Sequence, residues 1–184
     1  INVAELKVDE AATEAKIVKM YPAHDAQPIE NAADGTDVAV ICDVTAFHAE
    51  GGGQLGDIGT ITAPTGVIAV NVTKKLPDGA VIMIGSVTEG TVAIGDAVTF
   101  AVDKARKMDI ARNHTATHLL HAALKQVLGA HVNQAGSYVG PDRLRFDFSH
   151  FSQVTAEELK EVEAIVNEQV LAGKAVNIEE LPIE

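Results

Sequence analysis

The chain holds a single cysteine, Cys42, no tryptophan, and few aromatic residues of any kind (4%). One cysteine excludes an intrachain disulfide and fits a reducing cytosol. No apolar run approaches the ~20 residues that a bilayer-spanning helix needs, so no membrane partner is expected. The first residues, Ile1-Asn2-Val3-Ala4-Glu5, offer neither a basic region nor an apolar stretch. No secretory leader is read there, and a cytoplasmic location is expected. Basic residues are scarce too: 14 Lys and Arg stand against 26 Asp and Glu, for a net charge of −12. That balance argues against a general nucleic-acid-binding surface. What is plentiful is aliphatic. Hydrophobic residues make up 47% of 184 residues, enough for a core of Val, Ile, Leu and Ala in one large domain or two small ones.

The charge is unevenly spread. Residues 1–103 carry 5 basic against 15 acidic side chains, residues 104–150 carry 7 against 3, and residues 151–184 carry 2 against 8. The single basic block is either a solvated face or a patch that meets an anionic substrate.

Turn signals divide the first half into short strands. Lys16–Tyr21, Val38–Val44, Gly59–Ala63, Gly66–Lys74, Ala80–Gly85 and Ala97–Asp103 alternate or run apolar. Between them lie Pro64-Thr65-Gly66, Pro77-Asp78-Gly79, Glu89-Gly90 and Gly95-Asp96, and the spacing predicts a small antiparallel barrel. Glu10–Ala15 reads as a short helix or the tail of one, and His24–Thr36 as a loop or hairpin connection. The period changes near Asp103. Lys104–Leu128 reads as one long helix with Ala111, Ala116, Leu119, Leu120, Ala123, Leu124 and Val127 on its apolar face and Gly129 as its cap. Val132–Val139 and Arg143–Phe148 read as a hairpin. Thr155 with Glu158 forms a capping box for a helix ending near Gly173, and Ala175–Ile183 reads as a last strand. The expected fold class is α+β: a barrel over 1–103, then an α+β part over 104–184 whose histidine-bearing helix packs on an antiparallel sheet.

Two stretches carry chemistry. In Arg112-Asn113-His114-Thr115-Ala116-Thr117-His118-Leu119-Leu120-His121, two histidines four apart share one helix face. Neutral imidazoles so held suit two ligands of one zinc ion. His121 could compete as a ligand. Thr115 stands where a zinc protease would need Glu. Taken alone, the spacing also fits ordinary core or surface histidines. The second stretch is Thr45-Ala46-Phe47-His48-Ala49-Glu50-Gly51-Gly52-Gly53-Gln54-Leu55-Gly56-Asp57. Bare glycines allow close backbone approach to a ligand, and Gln54 offers a donor and an acceptor. The plain alternative is a strand-connecting turn with a polar tip. No Lys-Ser/Thr pair follows, so it is not a phosphate loop.

Gly51–Asp57 together with Arg112–His121 resembles the editing domain of alanyl-tRNA synthetase, and also the free-standing proteins that share this domain. The match continues through Gln134-Ala135-Gly136-Ser137 and Arg143–His150 and covers nearly the whole chain from about Lys16. The resemblance implies an enzyme that ligates alanine to its tRNA using ATP. This region would hydrolyse the ester of wrongly attached serine or glycine. It implies zinc held by His114 and His118 and by a downstream Cys-x3-His pair. It implies Gln54 in the editing pocket and Thr45 as the threonine that recognises the serine hydroxyl. Gly52, Gly53 and Arg112 are candidate substrate contacts, and the alanine tRNA acceptor end and the remainder of a parent synthetase are the expected partners.

The sequence departs from that pattern in three ways. It contains no Cys-x3-His pair, and Cys42, on a strand before both motifs, does not replace it. His48 stands where Tyr is usual, and Gly51 where the synthetases often have Ser. With a start other than Met, the expectation is an excised fragment in which two zinc ligands are missing. A free-standing editing protein and an inert module that only binds the tRNA end are the alternatives.

Overall fold

A computed structural model describes residues 7–8 and 13–175. The strands are β1 (Lys7–Val8), β2 (Glu14–Pro22), β3 (Asn31–Ala33), β4 (Asp37–Cys42), β5 (Val44–Thr45), β6 (Gly59–Ala63), β7 (Gly66–Lys75), β8 (Val81–Ala93) and β9 (Ala97–Val102). They are followed by α1 (Lys104–Leu128), β10 (Gln134–Val139), β11 (Leu144–Phe148) and α2 (Ala156–Ala172). Six strands pair in the antiparallel order β8-β4-β2-β9-β6-β7, and β7 pairs back onto β8, which closes a barrel. The expected α+β class and the barrel are both present.

Closure follows from alternation. On β7 the burial of Gly66, Ile68, Val70 and Thr73 points one face inward. On β8 Val81, Met83, Gly85 and Val87 do the same. Ile17, Met20, Val38, Val40, Phe47, Ile61 and Val98 complete the barrel core. Gly85 sits where β8 crosses β7 closely: a Cβ there would overlap the Ala69 carbonyl. Cys42 is buried in this core, and burial, with the Asp43 carboxylate beside it, pushes its thiol up to about 12. Since only the thiolate attacks alkylating reagents, the folded protein at pH 8 should react with iodoacetamide roughly a thousandfold slower than the unfolded chain. Equal rates, followed by mass spectrometry, would show that this part of the barrel opens freely.

Three expectations change. Glu14 and Ala15 are strand rather than helix, because they pair with Thr99 and Val98 of β9; positions 10–12 lie outside the described residues. Within the loop expected over His24–Thr36, Asn31–Ala33 forms β3, paired with Thr91–Ala93. The turn expected at Glu89-Gly90 is a bend inside β8: Gly90 takes φ +64°, and the strand passes from β7 on one side to β3 on the other.

The second half has its own core. Ala123, Leu124, Val132 and Val162 are buried together, with Leu120, Val127, Phe146, Phe148, Ile165 and Val166 packed around them. The helix limits match the sequence expectation, and α2 carries the Thr155–Glu158 capping box and a left-handed Gly173. The amide and hydroxyl of Thr155 hold the Glu158 carboxyl below its ordinary range. Ala111, expected on the apolar face of α1, is exposed; in this half of the helix Ile110, one position earlier, is the buried apolar residue. The strand expected over Ala175–Ile183 lies almost wholly outside the described residues. Among those described, no helix is long and apolar enough to cross a membrane.

Candidate functional site

The first turns of α1 are fastened to the glycine-rich segment. Asp103 caps the helix by accepting the Arg106 amide at 3.0 Å. The Arg106 guanidinium then donates to the Gly56 carbonyl at 2.8 Å. Lys107 donates to the Asp57 carboxylate at 2.9 Å. Asp57, only 3% exposed, also accepts the His48 amide at 2.9 Å. A buried carboxylate with these partners fixes both ends of the loop against the helix. Farther along, the Asn113 side-chain amide donates to the Gly140 carbonyl at 2.8 Å and holds α1 against the β10–β11 hairpin.

The glycines make a tight turn. Gly51 and Gln54 exchange backbone hydrogen bonds of 3.1 and 2.9 Å around Gly52 at φ +59° and Gly53 at φ +85°. Two consecutive left-handed positions are strained for any residue with a Cβ. The turn then lies along β10. The Val139 amide donates to the Gly53 carbonyl at 2.8 Å, and the Leu55 amide to the Val139 carbonyl at 3.0 Å. A Cβ on Gly53 would overlap the Ser137 carbonyl, whereas one on Gly52 would meet open space. The close approach allowed by bare glycine is therefore, at Gly53, to the protein's own hairpin.

Between helix, turn and hairpin lies a pocket of about 170 Å³. Helix α1 contributes His114, Thr117, His118 and His121, and the turn contributes Gly52 and Gln54. The rings of His114 and His118 stack with centroids 5.0 Å apart and planes 29° apart. Partial burial, followed by the nearby charges of His118 and His48, lowers the pKa of His114. At neutral pH His114 is thus held in the uncharged form that can ligate a metal. The two imidazoles fit zinc as a pair of donors. Among the described residues, no three His, Cys, Asp or Glu are grouped closely enough to hold a metal.

The structure thus brings His114, His118, Gln54 and Gly52 to one pocket and leaves three other candidates off it. Thr45 is 2% exposed and faces the barrel interior. Its hydroxyl lies 3.2 Å from the Met83 sulfur and accepts the Phe47 amide at 3.1 Å. Arg112 points to the surface and pairs with Asp109 at 3.2 Å. Gly53 serves the packing just described. Conversely, His48, Gln134, Ser137 and Phe146 line the pocket without having been singled out for it. The signals in the sequence were that His48 falls within the glycine-rich stretch, at a position where the family usually has Tyr, and that Gln134–Ser137 and Phe146 fall within stretches matching the family.

The model of class II (A) tRNA synthetases matches residues 2–106, and the chain belongs to that family. Its curated relatives narrow the resemblance. The chain is 51% identical to the alanine–tRNA ligase of Acetivibrio thermocellus over 172 residues, 94% of this chain and 20% of that protein. It is 48% identical to the alanine–tRNA ligase of Bacillus velezensis over 170 residues, 92% and 19% of the two. It is 51% identical to that of Listeria innocua over 164 residues, 89% and 19%. The chain therefore spans about a fifth of the length of the curated relatives it matches.

Proposed function

We propose that this chain is the editing region of an alanine–tRNA ligase and that its pocket hydrolyses seryl or glycyl esters on alanine tRNA. The observation that carries the reading is the stacked His114–His118 pair facing the same pocket as Gln54. His114 and His118 are the residues that would hold zinc, and zinc, when bound, would supply Lewis acidity at the ester carbonyl. The chain's own groups do the rest. Gln54, fixed by the turn and by β10, presents its amide to the substrate carbonyl or the attacking water. Gln134 and Ser137 of β10 add polar groups to the same pocket. A pocket that hydrogen-bonds the serine hydroxyl penalises alanine, which would leave that polar group unpaired. Because the Thr45 hydroxyl is already engaged, the reading gives that contact to the pocket's side-chain amides and hydroxyls and leaves Thr45 supporting Phe47.

The tRNA acceptor end and the rest of a synthetase are the partners this reading requires. A binding module without catalysis is the second reading, favoured by the absence among the described residues of any group of three His, Cys, Asp or Glu, where a zinc site takes three or four protein ligands. Incubating the chain with seryl-tRNA(Ala) and zinc, and following release of serine, tests the two. Turnover that falls roughly 100-fold in Gln54→Ala, as loss of one aimed donor should cause, supports hydrolysis. Binding of the tRNA end with no turnover in the wild type selects the inert module.

A further inference from the structure

Outside the pocket, His131, His150 and Phe151 form a ring cluster that the proposed chemistry does not use. The His131 and His150 ring centroids lie 5.1 Å apart with planes 19° apart. Phe151 lies 4.7 Å from each, tilted by 33° and 31°. The imidazoles are linked edge to edge, with His131 Nε2 2.9 Å from His150 Nδ1. The outer nitrogen of His150 lies 3.1 Å from the Ser152 hydroxyl. Phe151 nevertheless remains 84% exposed. A single exposed Phe needs no explanation. Two imidazoles joined by a hydrogen bond, with an exposed phenyl ring in contact with both, make a fixed aromatic surface, and that is what an unpaired base stacks on.

Its position is equally informative. The β10–β11 hairpin lines the pocket through Gln134 and Phe146, and the cluster continues that hairpin past its Gln134–Phe148 pair. Ser149 keeps the extension in register: its amide donates to the Asn133 carbonyl at 3.0 Å and its hydroxyl to the His131 carbonyl at 3.3 Å. His150 is four residues from Phe146, so the platform starts within about 13 Å of the pocket along the strand. A stacked single strand covers that distance in about four nucleotides. His131 and His150 belong to residues 104–150, the one stretch of this acidic chain in which basic residues outnumber acidic ones. The facing Glu158 carboxylate is held by the Thr155 amide at 2.8 Å and the Thr155 hydroxyl at 2.9 Å.

We infer that His131, His150 and Phe151 form a stacking platform for an unpaired base of the RNA strand whose 3′ end enters the histidine pocket. The inference rests on the proposed substrate of that pocket. The test uses this chain and an RNA stem-loop carrying the unpaired 3′ tail of a tRNA, with 2-aminopurine at the first unpaired position. The same stem-loop cut blunt is the control. The wild type should prefer the tailed RNA and quench its fluorescence. Phe151→Ala should bind the tailed RNA roughly 5- to 150-fold more weakly and lose the quenching, with the blunt control and the thermal midpoint unchanged. Phe151→Trp should restore both. A preference for the tail that survives in Phe151→Ala, with quenching intact, would overturn the platform alone. A wild type that does not distinguish tailed from blunt RNA removes the proposed substrate of the pocket, and the platform with it. Self-association that disappears in Phe151→Ala while RNA binding stays the same assigns the ring surface to protein contact and also overturns the inference.

Discussion

Gly53→Ala should lower stability by roughly 2–5 kcal/mol, or about 5–15 °C in thermal midpoint for a chain of this size. Two effects add. Residue 53 holds φ +85°, which costs a residue with a Cβ about 1–2 kcal/mol. The new methyl group would also occupy the position of the Ser137 carbonyl, and backbone cannot move aside as a flexible side chain can. Gly52→Ala is the matched control. It carries the conformational cost at φ +59° but meets open space, so the smaller loss is expected there. Thermal melts of the two variants settle the comparison. Equal midpoints would mean that the turn does not lie against β10 as closely as described.

In a full-length ligase, His114→Ala should slow deacylation of seryl-tRNA(Ala) by roughly 100-fold or more while aminoacylation stays at the wild-type rate. The variant removes one of two adjacent imidazoles, and a single imidazole keeps little hold on zinc. Metal content measured on the same preparation links the loss to the ligand. His114 is itself exposed and belongs to neither hydrophobic core, so the helix should persist. Unchanged deacylation would remove His114 from the chemistry. Parallel loss of aminoacylation would point instead to a general folding defect.

Much of the architecture was legible because local chemistry and tertiary demand agree. The end of α1 and both limits of α2 followed from Gly129, Thr155, Glu158 and Gly173, and each of these caps is formed; the start of α1 followed from the change of period near Asp103, which the structure shows to be its N-cap. The barrel strands followed from alternation between turn residues. Legibility failed where pairing overrides a local signal. Gly90 reads as a turn, yet ladders on both sides carry β8 through it. Glu14 and Ala15 read as helix, yet β9 draws them into the sheet.

The pocket was half legible for the same reason. His114 and His118 meet through helix spacing alone. Gln54 shares the pocket with Gln134 and Ser137 only because a loop some eighty residues earlier lies down on β10, and no period in the sequence encodes that. Thr45 shows the converse: a motif places it beside the glycines, but the strand it sits on turns its hydroxyl into the barrel.

The seating of the glycine turn on β10 also bears on how the molecule avoids unwanted company. A closed barrel offers its neighbours no unpaired strand, but a two-stranded hairpin has two bare flanks. The turn covers one of them at Val139, occupying both the amide and the carbonyl that another chain would otherwise recruit. The segment that presents Gln54 is thus also a guard against intermolecular strand addition. Changes that loosen it expose an adhesive edge along with a disordered pocket.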